Sequence, residues 1–238
     1  MFGEYRDDPD HMDYIHQILT WFVLAKDDVG VTSARSLNIV GIPTNVTVDF
    51  IDRLRSVLVV EEHIDLDTRM RPCHASFPQF LADPARCQDP DFVVEPQSGH
   101  DLVAHSLLEL MARANISALP KAPDGQLPWM WRYGNTRWPH HLIRARYTDQ
   151  LGQLLRAFAE THLMHWLRGE QPWELNYLQR EKVGWLAEVR GWYLEHRGSD
   201  KELVVILSKI IDERCLELRI NASELSKISE LENLVHAL

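Results

Sequence analysis

Apolar residues at Met12, Ile15, Leu19, Phe22 and Val23 recur at helical spacing, which predicts an amphipathic helix from Met12 to Ala25 with Asp13 in its first turn. A shorter second helix is predicted from Ala34 to Val40, with Thr32 and Ser33 as candidate N-caps and Gly41-Ile42-Pro43 ending it. Val48, Ile51, Leu54 and Leu58 repeat the same period and predict a third helix over Asn45 to Leu58. The β-branched run Val57 to Val60 competes with the end of that helix and favours a strand. After the polar stretch Glu61 to Thr68, Met70 to Ser76 returns as a second strand, giving a β-hairpin. Three helices followed by a hairpin is the order of a winged helix.

Beyond the hairpin, a short helix is predicted at Phe80–Cys87, an extended Phe92-Val93-Val94, and a strong helix from Ser98 or His100 to Asn115. The apolar face of that helix is Leu102, Val103, Leu107, Leu108, Leu110 and Met111. Pro120-Lys121-Ala122-Pro123-Asp124-Gly125 is a loop by composition. From Trp129 onward the pattern is helical, with helices near Trp138–Ala145, Tyr147–Leu167, Trp173–His196, Asp200–Leu218 and Ala222–Leu238. Prolines are absent after Pro172, and the short connections imply antiparallel neighbours. The expected fold is mainly α: a winged helix with a small β-hairpin, then a helical bundle or superhelical array. The expected organisation is a polar segment 1–11, a winged-helix domain with its following short helix 12–96, a helical domain 97–172 and a C-terminal helical extension 173–238.

Composition narrows the function classes. Lys and Arg number 25 against 35 Asp and Glu, a formal net charge of −10, so a nucleic-acid or anionic-membrane partner is disfavoured. Three scattered cysteines, without a Cys-x-x-Cys pair, fit neither a disulfide framework nor a zinc ribbon. The acidic start, Met1 to Asp10, lacks the basic and apolar runs of a signal peptide, and no apolar stretch approaches the roughly 20 residues of a membrane span. A cytoplasmic protein is expected.

No phosphate loop, dinucleotide fingerprint or Gly-x-Ser-x-Gly elbow occurs among the scattered glycines. The twelve histidines include His162 with His165, the pair His140-His141, and His100 with His105. None has His-Glu-x-x-His spacing, so no metal is expected; Leu163, Trp166 and Leu167 read as a buried face that the histidines flank. Eight tryptophans read as core filling between helices, with Trp129, Trp131 and Trp138 in a loop-rich segment and Trp185 and Trp192 on one helical face. Asp49, Asp52, Glu61 and Glu62 surround the hairpin without a legible convergent pair, so no catalytic residue is assigned and no enzyme is expected. Asn221 or Ser223 reads as a helix cap.

Three stretches carry a resemblance: Gln17 to Asp27, Leu54-Arg55-Ser56-Val57-Leu58, and Cys73-His74-Ala75-Ser76-Phe77-Pro78-Gln79-Phe80-Leu81. With Trp131-Arg132-Tyr133, Arg137 to Leu142 and Phe158 to Leu167, they make residues 12–168 resemble fungal NACHT-type ATPases, the STAND proteins of the NOD-like receptor kind. The resemblance is to the winged-helix and helical region that follows the nucleotide-binding core. Pro78-Gln79 stand where the family motif has Arg-Asp, and Asn135-Thr136 interrupt its Ala-Cys pattern. The core has no room in the first eleven residues. The resemblance therefore implies the regulatory half of a receptor without its motor, a truncated or degenerate form included. It implies a protein partner, such as a NACHT core in trans, and no cofactor of its own. It also implies that His74 stands where the family's histidine reaches the β-phosphate of ADP. One alternative is a nucleotide-dependent regulator sensing ADP or ATP in trans through His74, with Arg71 near the phosphates. A second is winged-helix DNA binding, for which the third helix offers only Arg53 and Arg55 against Asp49 and Asp52.

Overall fold

The structure, a computed structural model, describes residues 8–25, 29–60, 63–112, 128–168, 176–197, 201–221 and 223–225. Helix α1 (Pro9–Leu24) starts at Pro9 rather than Met12, because Asp8 caps it by accepting the His11 N–H at 3.1 Å and Pro9 is preorganised for the first turn. A 3-10 turn (Val29–Thr32) leads into α2 (Ala34–Ile39), capped by Ser33, whose hydroxyl accepts from the Ser36 N–H. Gly41, at φ 96°, makes the turn that ends it. Helix α3 (Thr44–Arg53) stops short of Leu58, and the valine-rich stretch beyond it supplies β1 (Leu58–Val59). Strand β1 pairs antiparallel with β2 (Arg71–Pro72), Leu58 opposite Pro72 and Val59 opposite Arg71.

The second strand is much shorter than Met70–Ser76: Pro72 has no N–H for the ladder, and Ser76 already begins α4 (Ser76–Leu81). The helix predicted at Phe80–Cys87 is thus displaced towards the hairpin, and Asp83-Pro84 halts it because a residue before proline avoids helical geometry. Phe92 lies in a turn rather than an extended run, and the Val94 N–H closes back onto the Leu81 carbonyl at 2.9 Å.

Helix α5 (Pro96–Ala112) is capped by Glu95, whose carboxylate accepts the Gln97 and Ser98 N–H groups at 3.1 and 2.6 Å. The predicted face is buried apart from Leu102, which is half-buried. Asn115 and the loop Pro120–Gly125 lie outside the described residues. Helix α6 (Trp129–Leu142) is the largest departure: Trp129, Trp131 and Trp138 stand on one helix, not in a loop-rich segment followed by a helix at Trp138. Gly134, Asn135 and Pro139 are poor helix formers, yet packing absorbs them. Pro139 cannot bond the Asn135 carbonyl, and that oxygen instead accepts the Trp166 indole N–H at 2.8 Å.

The single helix predicted over Tyr147–Leu167 breaks at His162 (φ −127°) into α7 (Asp149–Thr161) and α8 (Leu163–Arg168). The break turns Leu163, Trp166 and Leu167 into the core, with His162 half-buried and His165 exposed beside them. Helices α9 (Asn176–Arg197) and α10 (Lys201–Leu218) follow. Arg180 bonds the Leu218 carbonyl and Arg190 the Ser208 hydroxyl, so ten residues forward on α9 correspond to ten back on α10, an antiparallel pair. Asn221 caps the start of the last predicted helix, exchanging bonds with Glu224; the rest of that helix lies outside the described residues.

Among the described residues the molecule is mainly helical with one small antiparallel hairpin, and three α-helices precede that hairpin. Helix α5 is central, packing on α1, α6 and α7, while α6 reaches α9 and α10 covers α7 and α9. The buried apolar residues form one cluster from Ile15 to Ile220. Helices α1 and α5, on either side of residue 96, pack directly: a Cβ on Gly99 of α5 would meet Leu24 and Thr20 of α1 at 2.8 and 3.2 Å.

Candidate functional site

The hairpin is tied down before it presents anything. Thr32 donates its hydroxyl to the Met70 carbonyl at 3.0 Å, and the Arg35 N–H donates to the Leu66 carbonyl at 2.8 Å. The Arg35 guanidinium grips both Asp67 carboxylate oxygens at 2.7 and 2.9 Å, a bidentate pair that raises the arginine's pKa. After β2 the Cys73 N–H donates to the Val57 carbonyl at 2.9 Å, and the chain turns sharply at His74.

His74 is exposed, and its ring is held from one side. Nδ1 accepts the Ser76 backbone N–H at 3.1 Å and lies 2.7 Å from the Ser76 hydroxyl, while the His74 carbonyl accepts the Phe77 N–H at 3.0 Å. A backbone N–H can only donate, so Nδ1 is the unprotonated nitrogen and the neutral ring carries its proton on Nε2. The turn therefore fixes His74 as an outward-facing donor at the start of α4. Three residues on, Phe77 packs against Phe22 with ring centroids 5.7 Å apart. Phe77 joins Leu19, Leu54, Phe80, Leu81 and Phe92 around an apolar groove of about 240 Å³.

Arg71 does not share this corner. It lines a separate cavity of about 410 Å³ with Val59, Asp65, Asp67, Thr68 and Arg69. The Asp65 carboxyl there is held below its usual range by the Thr68 hydroxyl and the Asp67 N–H. Asp49 and Asp52 do not converge: Asp49 pairs with Arg53 at 2.8 Å and Asp52 with Arg55 at 2.7 Å. Glu61 and Glu62 lie outside the described residues.

Of the histidine groups, the fold brings together two that sequence kept apart. His100 of α5 and His141 of α6 approach Nδ1 to Nδ1 at 2.9 Å, and His141 Nε2 is 2.7 Å from the Tyr133 hydroxyl. Burial, then the neighbouring Arg144, lowers His100 to about 4; burial, then His100 itself, holds His141 well below the ordinary imidazole value. His105 pairs elsewhere, with Gln150 at 2.8 Å, and His140 packs its ring against Trp185. Among the described residues no three His, Cys, Asp or Glu side chains are placed to hold a metal ion. All three cysteines are free.

Lys182 is fully buried in α9, and nothing in its sequence surroundings marks it. Its ammonium donates to the Trp166 carbonyl at 2.8 Å, lies 3.5 Å from Asn135 Oδ1, and faces the Trp166 ring at 5.1 Å. Arg214 of α10 similarly reaches the Leu167 carbonyl at 3.3 Å, so two buried cations answer the exposed carbonyls at the end of α8. Comparison of the chain with known protein families, with curated proteins and with solved structures finds no match.

Proposed function

We propose that this chain is a non-enzymatic regulatory or protein-interaction module, of the kind that follows the nucleotide-binding core in NACHT-type receptors, and that it acts by docking rather than by chemistry. The observation that carries this reading is the corner between β2 and α4. There a fixed imidazole donor, His74, faces outward at the head of a helix whose Phe77 and Phe80 line an apolar groove. Such a corner suits a protein surface that offers an apolar side chain next to an acceptor, and a phosphate oxygen held by a NACHT core in trans is one such acceptor. DNA binding is disfavoured because Arg53 of α3 and Arg55 just beyond it are already paired with Asp49 and Asp52. No helix among the described residues is long and apolar enough to cross a membrane.

Calorimetry of the chain with a separately produced NACHT nucleotide-binding core carrying ADP tests the reading. Saturable binding is expected, weakened about tenfold by His74→Ala and by Phe80→Ser. No heat is expected when ADP is added to the chain alone, and binding in that arm would instead make the chain a nucleotide-dependent regulator in its own right. Binding to the core that neither substitution alters would remove this corner from the interface.

A further inference from the structure

A short cationic tract, Arg69-Met70-Arg71, interrupts an acidic chain, and the hairpin turns it into a pair. Residues two apart on extended backbone share a face, so Met70 is buried while Arg69 and Arg71 are both exposed. Both line the cavity of about 410 Å³, against Val59, Val60 and Thr68. The backbone that carries them is pinned from two sides. Ser33 forms an antiparallel bridge with Arg69, the Thr32 hydroxyl donates to the Met70 carbonyl at 3.0 Å, and Val59 stands opposite Arg71.

Neither guanidinium is committed to a carboxylate, whereas Arg35, Arg53 and Arg55 are held by Asp67, Asp49 and Asp52. Among the described residues Arg71 has no hydrogen-bonding or ionic partner, and Arg69 meets only the Trp129 ring, at 5.2 Å. Such stacking engages the face of a guanidinium and leaves its in-plane N–H groups open to an acceptor. The two aspartates of the cavity wall are turned to other donors. Asp67 takes the fork of Arg35, and one Asp65 oxygen takes the Asp67 N–H at 2.8 Å and the Thr68 hydroxyl at 3.0 Å. Arg35, Arg69 and Arg71 against ionised Asp65 and Asp67 leave a surplus of one positive charge at the cavity. That surplus matches a carboxylate, a forked acceptor suited to guanidinium, and falls short of a phosphate dianion.

The cavity is far larger than a carboxylate. Its volume holds about a dozen water-sized groups, within the range of roughly 300–1,000 Å³ usual for small-molecule sites. Val59, 49% exposed, and the half-buried Val60 give it an apolar wall beside the cations. We propose that this cavity binds a small monocarboxylate with an apolar body, its carboxylate held by Arg69 and Arg71 and its body laid on Val59 and Val60. The site is separate from the corner at His74 and does not depend on the function proposed above.

Titration of the whole chain with 3-phenylpropionate, followed through the methyl NMR signals of Val59, Val60 and Thr68, tests the site. Saturable shifts at those methyls are expected, with a Kd below about 1 mM. The amide 3-phenylpropanamide has the body without the charge, inorganic phosphate the charge without the body, and each is expected to bind at least about tenfold more weakly. Arg71→Gln and Arg69→Gln are each expected to weaken 3-phenylpropionate about tenfold. Both side chains are exposed, and Arg71→Gln leaves the Trp129 stack in place, so at least that variant keeps the native methyl spectrum of the core. Failure of 3-phenylpropionate to saturate these signals overturns the proposal. So does an amide or a phosphate that binds as tightly, or an Arg71→Gln chain that binds as the native chain does.

Discussion

Lys182 shows how much can hang on one side chain that no motif announces. Its ammonium sits between the Trp166 carbonyl, the Asn135 amide oxygen and the Trp166 ring, with no solvent exposure. Lys182→Met keeps the stem but leaves two buried acceptors short of a donor, so a loss of about 2–4 kcal/mol is expected in urea unfolding. Stability equal to the native chain would show that those acceptors do not need the cation. Two tryptophans give a sharper comparison. The Trp166 indole N–H satisfies the Asn135 carbonyl, whereas Trp138, fully buried, has no hydrogen-bond partner for its indole N–H among the described residues. Trp166→Phe is therefore expected to cost more than Trp138→Phe by about 1–2 kcal/mol, although Trp138 is the more deeply buried. Equal costs in parallel thermal and urea unfolding would refute that assignment. Neither partnership was readable in sequence, because each joins residues on different helices.

Elements were legible where a local rule decided them and illegible where a distant one did. The hairpin announced itself through the β-branched Val57–Val60, and α2 through Ser33 and Gly41 at its ends, since those signals act within a turn. Helix α6 was obscured by Gly134, Asn135 and Pro139, whose local cost is met by Trp166 and Lys182 from α8 and α9. His74 illustrates the middle case: its position was legible, but the nitrogen that faces outward is set by the Ser76 N–H, a matter of turn geometry. The end of α10 carries a testable local strain. Arg219 adopts φ 54°, a left-handed conformation that glycine takes at little cost, and the Ile220 N–H closes onto the Cys215 carbonyl at 2.8 Å. Arg219→Gly is expected to raise stability by about 0.5–1 kcal/mol, read as a higher melting temperature. A lowered melting temperature would mean that the Arg219 side chain contributes more than its backbone costs.

Across the whole molecule, the front of the chain, with its helices and hairpin, and the helical remainder are joined through α5 rather than strung side by side. Trp21 of α1 meets Tyr133 of α6, and α1 lies against α5 beyond residue 96. A fragment ending at residue 96 would expose that face of α1, so it is expected to show little cooperative unfolding by circular dichroism, whereas one extending to residue 168 regains it. Cooperative melting of the shorter fragment would establish the front as self-sufficient. Sequence periodicity named these helices but not their neighbours, because an apolar stripe records that a face is covered and not by what. The carbonyl that Pro139 leaves open on α6 and that Trp166 closes also bears on the history of this chain. The two residues form a lock and its key, 27 positions apart in sequence. Descendants that exchange the proline for an ordinary residue restore an N–H for that oxygen and release position 166 to drift. Those that keep the proline are bound to keep a donor there. Position 166 should lose its donor only where position 139 has already lost its proline.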